Sequence, residues 1–151
     1  MIKGNFMTKV VKKHWGQELW IADGIKTPYA LKRILFLAGN RTSLQVHQFK
    51  TETNYVLSGS GKLYISRDVF NINTFLTKGM SNEQVNDYEK SMDIVDLMPG
   101  VIFNVFPNYV HRVVAITDLE FMEASTPELD DVFRLQDDQG RTHGKISSEH
   151  E

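Results

Sequence analysis

Gly39-Asn40-Arg41-Thr42-Ser43-Leu44-Gln45-Val46-His47-Gln48-Phe49-Lys50-Thr51-Glu52, continued by Thr53-Asn54-Tyr55-Val56-Leu57-Ser58-Gly59, is the stretch whose reading decides the fold. Alternate residues of a strand share a face, so Gln45 and His47 point into one cavity, and Phe49 belongs to the same face. Glu52 stands at an odd offset from His47. It joins the pair only if the chain turns at Lys50-Thr51 and the next strand presents it from alongside. Thr53–Leu57 supplies such a strand, closed by Ser58-Gly59-Ser60-Gly61, a hairpin signal. The same glycines lack the strand-to-helix setting of a phosphate loop.

Outward from this stretch the same rhythm recurs. Short runs rich in β-branched and aromatic residues end at Gly, Pro or Asn: Ala30–Leu37, Lys62–Ile65, Val101–Phe106, His111–Ile116 and Leu119–Glu123. This is the pattern of an all-β sandwich or barrel. One segment departs from it. Ser81–Ser91 is polar, with Ser81 or Asn82 placed to cap a short helix and Glu83 in its first turn. With Val69–Gly79 it forms an insertion of the kind that covers a site or stays mobile.

Pro107-Asn108-Tyr109-Val110-His111 is a turn followed by a histidine that opens another strand, which brings a second imidazole to a barrel interior. Two imidazoles (His47, His111), a carboxylate (Glu52) and an amide oxygen (Gln45) suit a divalent metal such as zinc, manganese, iron or nickel, and spacing does not choose among them. Taken singly, a strand histidine is more often a hydrogen-bonded or surface residue than a ligand. The weight lies in the frame of Gly39, Gln45, His47, Glu52 and Gly59, answered by Gly100, Pro107 and His111.

Composition narrows the function classes. The 151 residues fit one domain, expected over 1–141, with 142–151 a polar tail that contains His143 and His150. Hydrophobic residues at 41% are enough for a packed core. A formal charge of -2 gives no basic surplus for nucleic acid. The absence of cysteine excludes disulfides, thiolate metal sites and a cysteine nucleophile. No apolar run is long enough to cross a bilayer, and Met1–Val10 has no apolar core of signal-peptide length, so a cytoplasmic protein is expected, with no membrane partner.

These motifs resemble those of the cupins, small double-sheet β-barrels. The Glu52-to-Gly59 interval fits the first cupin motif, although the Gly39-to-His47 offset is longer; Gly100 through Pro107 to His111 follows the second, with Asn108 near the expected glycine. Within cupins the sequence is similar to the isomerase domain of type II mannose-6-phosphate isomerases and their single-domain relatives. Four segments carry this: Lys13-His14-Trp15-Gly16 with Glu18 and Trp20; Arg41 to His47; Pro107 to Arg112; and Asp130-Asp131-Val132-Phe133-Arg134 through Asp137 to Gly140-Arg141. One departure is that Phe49 stands where the usual second motif histidine falls, and phenylalanine binds no metal. The related type I enzymes hold zinc through Gln, His, Glu and His with Gln-x-His spacing, which Gln45, His47, Glu52 and His111 match.

The resemblance implies an all-β, cupin-type double-stranded β-helix (a jelly-roll barrel) with a short helical or loop insertion between the two motifs. It implies a sugar-phosphate isomerase that interconverts aldose and ketose with a divalent metal, zinc foremost, a small carbohydrate or sugar phosphate as partner, and a homodimer. Lys32 and Glu123 are the expected catalytic residues, and Lys32 and Arg112 the expected substrate-binding ones; His14 is a further polar candidate. Lys32 points inward with Ile34 and Phe36, whereas in Leu119–Glu123 either Glu120 or Glu123 is the inner carboxylate. Arg112, next to His111, points away from it, which makes an outer salt bridge its competing role. Trp15 and Trp20 read as anchors of an N-terminal strand. Asp130 and Arg134 read as a structural i, i+4 pair. Two alternatives stand beside the isomerase: a non-catalytic metal- or sugar-binding module, and an iron oxygenase using two histidines and one carboxylate.

Overall fold

The computed structural model describes residues 9–136 and the strand Gly144–Ile146. Twelve strands and two helices follow one another among these residues. The first half holds β1 (Lys9–Lys13), β2 (Gly16–Asp23), β3 (Ala30–Phe36), β4 (Leu44–Val46), β5 (Glu52–Ser58) and β6 (Gly61–Ile65). Helices α1 (Ile72–Lys78) and α2 (Asn82–Lys90) come next, and then β7 (Asp93–Leu97), β8 (Ile102–Val105), β9 (His111–Ala115), β10 (Leu119–Ser125), β11 (Val132–Gln136) and β12 (Gly144–Ile146). They form two six-stranded antiparallel sheets, ordered β1-β2-β3-β10-β5-β8 and β12-β11-β4-β9-β6-β7. From β3 onward in the first sheet and from β11 onward in the second, strands from the two halves of the chain alternate, which carries the two sequence motifs to neighbouring strands, β5 beside β8 and β4 beside β9.

Alternation decides what lies between the sheets. In β3, Ala30, Lys32, Ile34 and Phe36 are buried; in β10, Leu119, Phe121, Glu123 and Ser125 are. The apolar members of these rows join Trp15, Val56, Leu63, Phe103, Val113 and others in one cluster, where the Trp15 and Phe36 rings stack at 4.0 Å. Each fully buried aliphatic side chain of this kind contributes about 1.5–3 kcal/mol. At the β5–β6 turn the strands approach the β9–β10 turn so closely that a Cβ on Gly59 would lie 1.9 Å from the Asp118 carbonyl oxygen, and Gly59 has φ +86°. Only glycine meets both demands.

The insertion packs away from the barrel interior. Ile72 and Phe75 of α1 and Val85 of α2 form a second cluster with Leu44, Val46, Phe133 and Leu135, whose side chains leave the outer face of β4 and β11. Neither helix lines the central cavity. Ser81 caps α2 in a capping box with Gln84, and Asn71 caps α1, its side-chain oxygen accepting from the Thr74 N–H at 2.9 Å. Because β11 is covered on both faces, four of its five residues are buried. It is a strand that begins at Val132, with Asp130 in the turn before it, so the helix expected to space Asp130 and Arg134 is not formed. The region read as a polar tail contributes β12, paired with β11; Asp137 to Arg141, His143 and His150 lie outside the described residues. Among the described residues no helix is long and apolar enough to cross a membrane.

Candidate functional site

Between the sheets lies a cavity of about 70 Å³, several times the roughly 10–15 Å³ that one water requires. Its polar wall on the first sheet follows from register. Trp20 stands opposite Lys32, Lys32 opposite Glu123, Glu123 opposite Asn54 and Asn54 opposite Phe103, so one row of side chains crosses four neighbouring pairs of strands. Glu52 lies two residues before Asn54 on the same inner face. From the second sheet come Gln45 and His111, which are directly opposed between β4 and β9. His47 follows β4 at once. Its carbonyl accepts from the Asn108 N–H at 2.7 Å, which ties the loop after β4 to the turn before His111. Asn108 takes φ +69° there, a conformation asparagine tolerates better than most residues and the reason a glycine is expected in this turn.

Both imidazoles present the same atom to the cavity. His47 Nδ1 lies 2.6 Å from the Asp131 carbonyl oxygen and His111 Nδ1 lies 3.2 Å from that of Tyr109. A carbonyl only accepts, so each Nδ1 carries the proton and each Nε2 offers a lone pair. The ring centroids are 4.9 Å apart. His47 Nε2 is buried with no hydrogen-bond partner among the described residues, and His111 Nε2 is 3.9 Å from Glu52 Oε1. Ligand atoms of His47, Glu52 and His111 all lie within 4.8 Å of one another. Gln45 Nε2 is 3.4 Å from His111 Nε2, while its Oε1 accepts from Ser43 Oγ at 2.9 Å. A half turn of the amide exchanges these atoms and presents an oxygen to the same space. Orphaned Nε2, two neutral imidazoles and a carboxylate are the donor chemistry of a divalent metal, so the residues fit one.

The electrostatics agree with that set. Burial, reinforced by the Lys50 charge and by His111, holds His47 well below its usual pKa; burial lowers His111 to about 4. Both are therefore neutral near pH 7. Lys50 lies inside as well, its ammonium 3.2 Å from Glu52 Oε2 and 3.6 Å from Glu123 Oε2. Burial alone would lower Lys50, but the Glu123 and Glu52 charges outweigh it and hold the ammonium above its ordinary value. Burial likewise opposes ionisation of Glu52, yet Lys50 and a hydrogen bond with Glu123 keep its pKa low. Glu123, desolvated and beside the Glu52 charge, is pushed up to about 6. Glu52 thus turns one oxygen to Lys50 and the other towards the imidazoles.

No family model matches the chain, and no curated protein does. Solved structures do. CapF, a capsular polysaccharide assembling protein from Staphylococcus aureus, superposes with a TM-score of 0.58 at 13% identity over 87% of this chain and 35% of its own. A conserved protein from Klebsiella pneumoniae with a double-stranded β-helix domain matches over 89% of both chains, with a TM-score of 0.54 and 12% identity. The fold is a cupin-type double-stranded β-helix. KdgF from Halomonas sp. is similar too, with a TM-score of 0.53 and 19% identity over 76% of this chain and 81% of that one. The chain spans about a third of the length of CapF.

In this cupin-type barrel Gln45, His47, Glu52 and His111 meet in one cavity, together with Lys32 and Glu123. Lys32 is buried, 3.2 Å from Glu18 Oε1 and 4.6 Å from the Trp20 ring centroid. Glu123 is the inner carboxylate of β10, and Glu120 pairs with Arg33 on the outside. Trp15 lines the cavity; Trp20 donates to Glu18 at 3.0 Å.

Two expectations are corrected. Arg112 does not line the cavity: its fully buried guanidinium donates to Glu89 of α2 at 3.0 Å and to the Thr42 carbonyl at 2.9 Å, the salt bridge away from His111 that its place in the strand suggested, and this joins the insertion to the barrel. Phe49 does not share the inner face of Gln45 and His47, since β4 ends at Val46 and the loop turns the ring outward to 64% exposure. His14 is exposed outside the cavity.

Lys50, Asn54, Glu18 and Asp131 are the polar residues that sequence reasoning missed. The first three follow from alternation once the strand register is known. Asp131 has no local signal: its carboxylate accepts from the backbone N–H groups of Gln48, Phe49 and Lys50, some 80 residues away, and so shapes the loop that delivers His47 and Lys50. Removing an acceptor of three donors, one buried and two partly buried, costs about 3 kcal/mol. Asp131→Ala is therefore expected to lower the thermal midpoint and metal content together, read by calorimetry and elemental analysis, whereas loss of stability with full metal content would separate the loop from the site.

Proposed function

We propose that this chain is a metal-dependent, carbohydrate-modifying cupin, an isomerase that interconverts an aldose and a ketose such as mannose 6-phosphate and fructose 6-phosphate. The observation that carries the reading is the convergence of the unpartnered His47 Nε2, the His111 Nε2 and a Glu52 oxygen within 4.8 Å, beside the Glu123–Lys50 pair. His47, Glu52 and His111, with Gln45 as a fourth donor, would hold the ion, for which zinc is the first choice and manganese, iron and nickel the others. A divalent cation there supplies positive charge for an enediolate oxygen. The proton transfer between adjacent carbons falls to Glu123, a cavity carboxylate outside the three clustered donors that lies beside Glu52 and Lys50, whereas Glu18 is held by Lys32. Lys50 holds Glu52 in place and keeps Glu123 beside it. The apolar lining from Phe36, Phe103 and Phe121 excludes bulk water from the reacting end. That CapF, a capsular polysaccharide assembling protein, shares this fold supports the carbohydrate direction.

The test is turnover. Protein loaded in turn with zinc, manganese, iron(II) or nickel is expected to interconvert the two sugar phosphates or their unphosphorylated counterparts, and no turnover with any combination would reject the isomerase. A second reading is a non-catalytic binding module, favoured by Lys50, whose ammonium already neutralises Glu52. Ligand-induced thermal stabilisation with no turnover would select it.

A further inference from the structure

Asn54 is 1% exposed and lines the cavity, yet neither its amide nitrogen nor its amide oxygen finds a hydrogen-bond partner among the described residues. An amide buried in this state destabilises the fold, because it gave up its water bonds and gained nothing in return. Native structures pair nearly all such groups. Its neighbours on the inner face do not need it: Lys32 is matched by Glu18, and Lys50 by Glu52 and Glu123. Nor do they offer a surplus of positive charge, since three carboxylates surround two ammonium groups. A phosphate dianion has no unmatched side-chain cation inside the cavity, and about 70 Å³ admits only the end of a sugar, not the whole molecule.

We propose that Asn54 is the ligand-recognising residue of the cavity, its amide donating to and accepting from a hydroxyl or carbonyl on the uncharged, hydroxyl-bearing end of the ligand. A neutral polyol end completes both amide bonds without adding negative charge to a site whose carboxylates outnumber its ammonium groups. Any phosphate on the ligand then stays outside. This rests on the carbohydrate reading above but not on the isomerase reaction, because a compound that cannot isomerise serves as the probe.

The experiment measures binding of mannitol by titration calorimetry, and thermal stability, for the parent protein, Asn54→Leu and Asn54→Ala, with inorganic phosphate as the control ligand. The expected result has two parts. Mannitol affinity falls about 10- to 100-fold in both variants, and Asn54→Leu, relieved of an orphaned amide, unfolds about 2–4 °C higher than the parent. Inorganic phosphate binds the parent more weakly than mannitol. Equal mannitol affinity in parent and Asn54→Ala would overturn the proposal, as would a parent that binds no mannitol or prefers phosphate. Mannitol binding that depends on Asn54 without turnover of any sugar would leave it standing and remove only the isomerase. If Asn54→Leu does not fold, Asn54→Ala alone decides.

Discussion

Lys50→Met is expected to destabilise the protein by about 3–5 kcal/mol, the cost of leaving buried carboxylates without their partner charge. Lys50 is 5% exposed and touches both Glu52 and Glu123. Methionine fills much the same volume, so the loss is electrostatic and not a cavity. In thermal unfolding this corresponds to a drop of about 10 °C for a chain of this size. Adding Glu123→Gln to Lys50→Met removes one of the two unmatched carboxylates and should restore part of the loss, so that the two changes are strongly non-additive. Equal stability of parent and Lys50→Met would show that the ammonium does not organise the carboxylates.

His47→Ala and His111→Ala are expected to reduce isomerase turnover by at least about a thousandfold each, because removing a donor of the ion forfeits the several kcal/mol of charge stabilisation it supplies. The two should not add: once the first imidazole is gone, the double variant has nothing further to lose. Their stability should change far less than that of Lys50→Met, since neutral imidazoles leave no unpaired charge behind. Turnover within tenfold of the parent in either variant would contradict the assignment.

The fold was readable because alternation repeats. Ala30–Leu37 and Leu119–Glu123 match β3 and β10 to within two residues, and their inner rows include Lys32 and Glu123. Strands β7 and β1 escaped for the opposite reason: four of the five residues of Asp93–Leu97 are exposed, so no apolar period marks them, and Lys9–Lys13 buries only Val11. At the site, Gln45, His47, Glu52 and His111 stood out through residue type and spacing. Phe49 was misplaced because strand alternation was carried past Val46, where the ladder ends, whereas Lys50 shares the inner phase of Glu52 and Asn54. Asn54 needed only the inner phase of Glu52 extended by two. Arg112 depended on where α2 docks, and Asp131 on a contact across 80 residues, which no local pattern encodes.

Elemental analysis of protein purified without chelator, repeated on His47→Ala and His111→Ala, bears most directly on the claim that two distant segments share one ion inside the β shell. The account predicts close to one divalent metal per parent chain and almost none in either variant. A parent free of metal, or variants that keep a full equivalent, would contradict it.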